Sequence, residues 1–151
     1  MSILYLGIDP GKSGAICSVD LFGFPETITR LNVTPKEIWD KLSDISIDHQ
    51  CVAIIELVNA MPNQGVASTF KFGESFGMLL GFLTASGIPF ERVRPSVWCR
   101  DMGLKRKDKE SNTDWKNRHK QLAQELFPDV DVTHANADAL LIAEYCRRKN
   151  I

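Results

Sequence analysis

Ile3-Leu4-Tyr5-Leu6-Gly7-Ile8-Asp9 is an apolar run that ends on a carboxylate, and Pro10-Gly11-Lys12-Ser13-Gly14 breaks it at once. Such a run is a buried strand, and a charge at its end is costly unless something positive meets it. The same pattern recurs in Cys51-Val52-Ala53-Ile54-Ile55-Glu56. A third carboxylate, Asp138, opens the apolar helical stretch Ala139-Leu140-Leu141-Ile142-Ala143. Each acid alone has an ordinary reading: a turn cap before Pro-Gly, a strand-end surface charge, a helix N-terminal charge favoured by the macrodipole. Three at the ends of apolar elements, far apart in sequence, point to a hard-metal site assembled by the fold.

The length of 151 residues fits one domain, 1–151, with a core of its own. No apolar run is long enough to span a membrane, and no basic stretch leads into a cleavable apolar one, so a cytoplasmic protein without membrane attachment is expected. Cys17, Cys51, Cys99 and Cys146 are scattered and form no CxxC pair. Buried free thiols are expected rather than disulfides or zinc ligands. The net charge of -1 is uninformative, but the basic residues are clustered: Lys105-Arg106-Lys107-Asp108-Lys109, then Lys116, Arg118, His119 and Lys120, then Arg147-Arg148-Lys149. Local patches of this kind can grip a phosphate backbone, and they are also ordinary solvated helix faces.

Strands are expected at Ile3–Asp9, Ala15–Asp20 and Thr27–Leu31, forming a meander. Thr34-Pro35-Lys36-Glu37 is a capping box with proline at the first helical position, opening a helix to about Ser46 whose buried face carries Ile38, Trp39, Leu42 and Ile45. A buried strand at Cys51–Glu56 follows, parallel to the first. A polar loop from Asn59 to Phe72 runs into a long helix ending at Ser86-Gly87, and Phe90–Val93 is a short strand. Pro95–Arg100 reads as a short helix or turn, Leu104–Thr113 as polar and mobile, and Trp115–Phe127 as a helix with Trp115, His119, Leu122, Leu126 and Phe127 on one face. A last helix runs to about Arg148, capped by Asn136 or a neighbour. This order predicts an α/β fold, a mixed five-stranded sheet with helices on both faces, and a site at the carboxyl ends of adjacent strands.

The chain resembles RuvC-type Holliday junction resolvases of the phage-encoded branch, within the RNase H-like superfamily. The likeness runs through Gly7-Ile8-Asp9-Pro10-Gly11, Ile55-Glu56, Met61-Pro62-Asn63-Gln64-Gly65, Phe70-Lys71-Phe72-Gly73-Glu74, Arg94-Pro95-Ser96-Val97-Trp98, Glu125-Leu126-Phe127-Pro128 and Ala137-Asp138-Ala139-Leu140-Leu141-Ile142-Ala143-Glu144. It implies an RNase H-like fold and makes Asp9, Glu56 and Asp138 metal-binding catalytic carboxylates. The family has a fourth group about one turn before the last aspartate, which here points to His134, while bacterial members align Ala135 and Asn136 is a further oxygen donor. A histidine there would make the site pH-sensitive near the imidazole pKa of about 6.5.

The implied chemistry is phosphodiester hydrolysis by two Mg2+ ions about 3.5–4 Å apart, with Mn2+ able to substitute. Asp9 would bridge both ions, Glu56 would complete one shell, and Asp138 with His134 the other. His134 could instead orient or deprotonate the water. Candidate DNA contacts are Gln64, Phe70, Lys71, Arg94, Lys105, Arg106, Lys107, Lys109, Lys116 and Arg118. Phe70 or Phe72 could wedge at unstacked bases, although Phe72 and Phe76 fit core packing better. Trp98 reads as buried structure, and Trp115 as either.

Gly73, Gly77 and Gly81 form a stripe on the long helix, each costing about 1 kcal/mol against alanine. Close backbone approach, to the sheet or to a second copy, would offset that. The resemblance favours a homodimer, whose two-fold symmetry suits paired cuts in a four-way junction. Other readings are an RNase H-like nuclease for flaps, forks or other branched DNA, a nucleotide-binding module suggested by Asp9-Pro10-Gly11-Lys12-Ser13-Gly14, and a DNA-binding protein without nuclease activity.

Overall fold

The computed structural model describes residues 1–59 and 63–151, so Met61-Pro62 of the fingerprint above lies outside the described residues. The elements are β1 (Ile3–Asp9), β2 (Ala15–Val19), β3 (Pro25–Arg30), α1 (Pro35–Asp48), β4 (Gln50–Glu56), α2 (Val66–Ala85), β5 (Phe90–Val93), α3 (Pro95–Asp101), α4 (Asn112–Leu126) and α5 (Ala137–Asn150). They build one five-stranded sheet in the order β3-β2-β1-β4-β5. β1, β2 and β3 pair antiparallel, and β4 joins β1 and β5 in parallel. This is the mixed α/β sheet the sequence predicts.

Strand alternation sorts the core. Leu4, Leu6 and Ile8 of β1, with Ala53 and Ile55 of β4, pack with Ile38, Leu42 and Ile45 of α1 and Leu79 and Leu83 of α2. On the other face Tyr5, Cys17 and Ile54 pack with Trp98, Ala123 and the apolar length of α5. Side chains of a strand change face every residue, so Asp9 and Glu56 fall with Tyr5 and Ile54 on the α5 face. The parallel register pairs Ile8 with Ile55, and the two acids follow directly on that pair.

α5 lies against β1 with no side chain between them at Gly7, where a Cβ would collide with the Ala139 carbonyl oxygen and the Ala143 amide nitrogen. That contact sets the height of Asp138, one residue before Ala139. Gly11 has φ 106°, a backbone open to glycine, and lets the Pro10–Gly14 turn fold back so that β2 pairs with β1.

The capping box of α1 forms as expected: the Thr34 hydroxyl accepts from the Glu37 amide and the Glu37 carboxylate accepts from the Thr34 amide. Trp39 packs on Phe82 with ring centres 5.6 Å apart. All four cysteines are buried and free.

Two expectations need correction, and one of two open alternatives falls away. The stretch expected as loop to Phe72 is helical from Val66. Its first turns are largely exposed and Gly65 caps them without a side-chain bond, so neither apolar period nor cap chemistry announces them. The segment expected as polar and mobile, Leu104–Thr113, is tied down internally. Leu104 is buried, Arg118 reaches the Lys105 carbonyl and the Glu110 carboxylate, and Arg106 donates to the Glu110 carbonyl and to Asn112. Finally, the stripe Gly73, Gly77 and Gly81 does not pack on the sheet: a Cβ at any of the three would meet nothing. It lies on the exposed side of α2.

Candidate active site

Asp9 ends β1, Glu56 ends β4 and Asp138 stands in the first turn of α5. The fold therefore brings together the three acids singled out from sequence, on one face and at one edge of the sheet. Burial acts first on Asp9 and Glu56, and neighbouring acids add to it. Burial, with the charges of Glu56 and Asp138 adding to it, pushes the Asp9 carboxyl up to about 8, against the pull of Lys116. Burial pushes Glu56 up to about 7; the Trp98 N–H opposes the shift and Asp138 adds to it. Carboxylates that keep protons near neutrality for want of a positive charge are suited to a hard cation.

Two of the acids are held by nitrogen donors. The Trp98 indole N–H donates to Glu56 Oε2 at 2.7 Å, and His119 Nδ1 lies 2.7 Å from Asp138 Oδ1. The donors touch each other: His119 packs edge-on against Trp98 at 5.6 Å and against Trp115 at 4.4 Å between ring centres. With its proton on Nδ1 the imidazole donates to Asp138, and Nε2 stays buried with no hydrogen-bond partner among the described residues. Each held carboxylate keeps one oxygen outside these bonds. Among the described residues no three His, Cys, Asp or Glu side chains stand close enough to enclose one ion as they are. The donor set fits a divalent cation in chemistry, and the carboxylates would have to move to complete its shell.

His134 is exposed and lines one hollow with Asp9, Asp138, His119, Arg30 and Lys116. Asn136, the further oxygen donor considered from sequence, is engaged within its own turn. Its Oδ1 accepts from the Thr133 amide at 2.8 Å and its Nδ2 donates to the Asp131 carbonyl, so this buried amide shapes the entry to α5.

The expected DNA contacts divide into groups. Lys116 sits beside the acids. Arg94, at the N-cap of α3, and Lys105, Arg106, Lys107 and Lys109, between α3 and α4, are exposed. Gln64, Phe70 and Lys71 are exposed at the start of α2. Phe72 is half-buried and stacks on Phe76, which packs against the core. Arg118 is turned inward: it pairs with Glu110 at 2.9 Å and its guanidinium lies 5.4 Å from the Trp115 ring centre.

Sequence reasoning gave Trp98 and His119 no role in holding the acids. One signal was present. His119 stands on the otherwise apolar stripe of α4, and a polar group buried there needs a partner. Its partner lies 19 residues away, on another helix.

No protein-family model matches the chain, and no curated protein matches it. Solved structures do. The chain is similar to Thermus thermophilus RuvC, at 15% identity, 99% coverage of this chain and 97% of that one, with a TM-score of 0.60. It is also similar to T. thermophilus RuvC in complex with Holliday junction substrate, at 16% identity, 96% and 91% coverage and a TM-score of 0.59. The fold is therefore RuvC-like, of the RNase H-like kind.

Proposed function

We propose that the chain is a divalent-metal-dependent endonuclease that resolves four-way and other branched DNA by two symmetric nicks, leaving 5′-phosphate and 3′-hydroxyl ends. The observation that carries this reading is the meeting of Asp9, Glu56 and Asp138 at one edge of the sheet, from three separate elements. The RuvC-like fold supports it, since one of the similar structures holds Holliday junction substrate. The assignment to the phage-encoded branch rests on the resemblance of the motif set alone.

Asp9, Glu56 and Asp138 would hold Mg2+ or Mn2+, with His134 as a fourth group at the rim. When bound, such ions activate a water, stabilise the leaving oxygen and neutralise the phosphate. The chain's own part is positional. Trp98 holds Glu56 and His119 holds Asp138, so one oxygen of each of these two acids is anchored before substrate arrives. Lys116, which draws down the Asp9 pKa, meets the phosphate charge. The exposed Lys105, Arg106, Lys107 and Lys109 between α3 and α4 would track the backbone without reading sequence.

A homodimer completes the scheme. The open glycine stripe of α2 would meet its twin, giving two sites related by a two-fold axis.

The test is cleavage of a labelled four-way junction and a matched linear duplex, with Mg2+, Mn2+ or EDTA. Paired, metal-dependent nicks on the junction are expected. Asp9→Asn abolishes them and leaves junction binding intact, because it removes charge at the metal site and no DNA contact. Equal cutting of both substrates would refute branch selectivity, and cleavage by Asp9→Asn would refute the site.

A further inference from the structure

Lys116, His119 and Asp138 line two hollows at once, and so form the wall between them. The hollows differ in chemistry. One, of about 460 Å³, also presents Asp9, Ser13, Arg30 and His134. The other, of about 790 Å³, runs from Glu56 between α3 and α4 and is walled by Pro95, Trp98, Leu104 and Trp115. The first is polar and charged. The second is aromatic and apolar, with the cations Lys105 and Arg106 also on its lining. Its volume lies within the range of about 300–1,000 Å³ usual for small-molecule pockets.

The aromatic hollow is built before any ligand arrives. Trp98 is fully buried and held by Glu56. Trp115 is braced by the His119 edge and by Arg118, which is itself fixed by Glu110 and the Lys105 carbonyl. The α3–α4 segment that closes the hollow is thereby fastened to α4.

A nucleotide has the same two-sided character: a charged backbone and a flat, largely apolar base. With a phosphodiester at the acids, the polar hollow suits the continuing backbone and the aromatic hollow suits a base. The cations on that lining are complementary to the phosphate the base brings with it. We propose that the hollow between α3 and α4 takes the unstacked base of a nucleotide next to the cut phosphodiester. This rests on the nuclease reading above. It adds a second contact to the cut strand, one that requires the base to leave its stack, which is least costly at a branch point.

The experiment is a cycle of two changes, one in each partner. A four-way junction is made with an abasic nucleotide on either side of the mapped cut in turn, and single-turnover cleavage is compared with that of the intact junction. Ser96→Trp fills the hollow from an exposed position on α3, and Trp115→Ala removes one wall and serves as the second variant. At one of the two positions the wild-type protein loses at least about fivefold in rate on the abasic junction. Each variant shows that loss on the intact junction and little further loss on the abasic one. Multiplying losses in both variants, or a wild-type rate indifferent to both abasic positions, would overturn the base site and leave the nuclease reading standing. A wild-type protein that neither binds nor cuts branched DNA would overturn the nuclease reading, and the base site with it.

Discussion

On one face of the sheet α5 lies so close to β1 that Gly7 has no room for a Cβ, while on the other face the three glycines of α2 would each carry one into open space. α5 is buried along most of its length, Ala137 and then Ala139 to Cys146, and it delivers Asp138 to the site. α2 buries only Leu79 and Leu83 and keeps Gly73, Gly77 and Gly81 outside. Glycine on β1 is required by a contact the chain makes with itself. Glycine on α2 is a local cost with no return inside this chain. The stripe is therefore open to the homodimer proposed above, and the site belongs to the fold.

Gly7→Ala breaks that contrast on the α5 side and has the largest expected effect. It destabilises by about 3 kcal/mol or more, because backbone must move to admit the methyl, and thermal unfolding checks it. Trp98→Phe keeps an aromatic ring, though a smaller one, and removes the N–H that holds Glu56, so cleavage falls about 10–100-fold with little change in junction binding. A binding loss of the same size would make Trp98 a structural residue only.

Glu144 tests how α5 is pinned at its far end. Arg147 donates to it through two nitrogens and Arg148 through one, and Arg147 also reaches the Leu21 carbonyl. Burial alone would raise the Glu144 pKa, and the two arginines overcome it and hold the carboxyl below the usual range. A depressed folded pKa means stability that is present above the unfolded carboxylate value and lost as pH falls through the folded one. Glu144→Gln should cost about 2 kcal/mol at pH 7 and progressively less below pH 4, read as melting temperature against pH. A pH-independent loss would assign the effect to packing.

Gly77→Ala is the smallest change and points the other way. The isolated subunit gains about 1 kcal/mol of helix stability. Self-association, followed by sedimentation, weakens. Stabilisation with unchanged association would free the stripe of any interfacial role.

The acids were legible because each interrupts an apolar run at its end, and because β1 and β4 alternate so regularly that Asp9 and Glu56 share a face. The carboxyl-edge location followed from the parallel pairing of the two strands. The beginning of α2 was not legible, since helix signals are burial period and caps, and Val66 to Lys71 has neither. The anchoring of the α3–α4 segment was hidden for a different reason: a run of charges looks the same whether its partners are water or Glu110. That Trp98 and His119 are buried was legible, but their hold on Glu56 and Asp138 was not, because a partner across the fold leaves no spacing in the sequence. Asn136 looked like an oxygen donor because its local partners, Thr133 and Asp131, become visible only once the turn is built.

The aromatic stack has an optical consequence. Of the chain's three tryptophans, Trp98 and Trp115 stand against His119 beside the acids, and Trp39 packs on Phe82 across the sheet. The Trp98 indole N–H ends on a carboxylate that a bound cation or phosphate would tug. Ligation of the proposed site would thus alter the hydrogen bond and polarity around two of three emitters, while the third would supply a steady background. The protein would carry its own unlabelled fluorescence reporter, placed at the site itself.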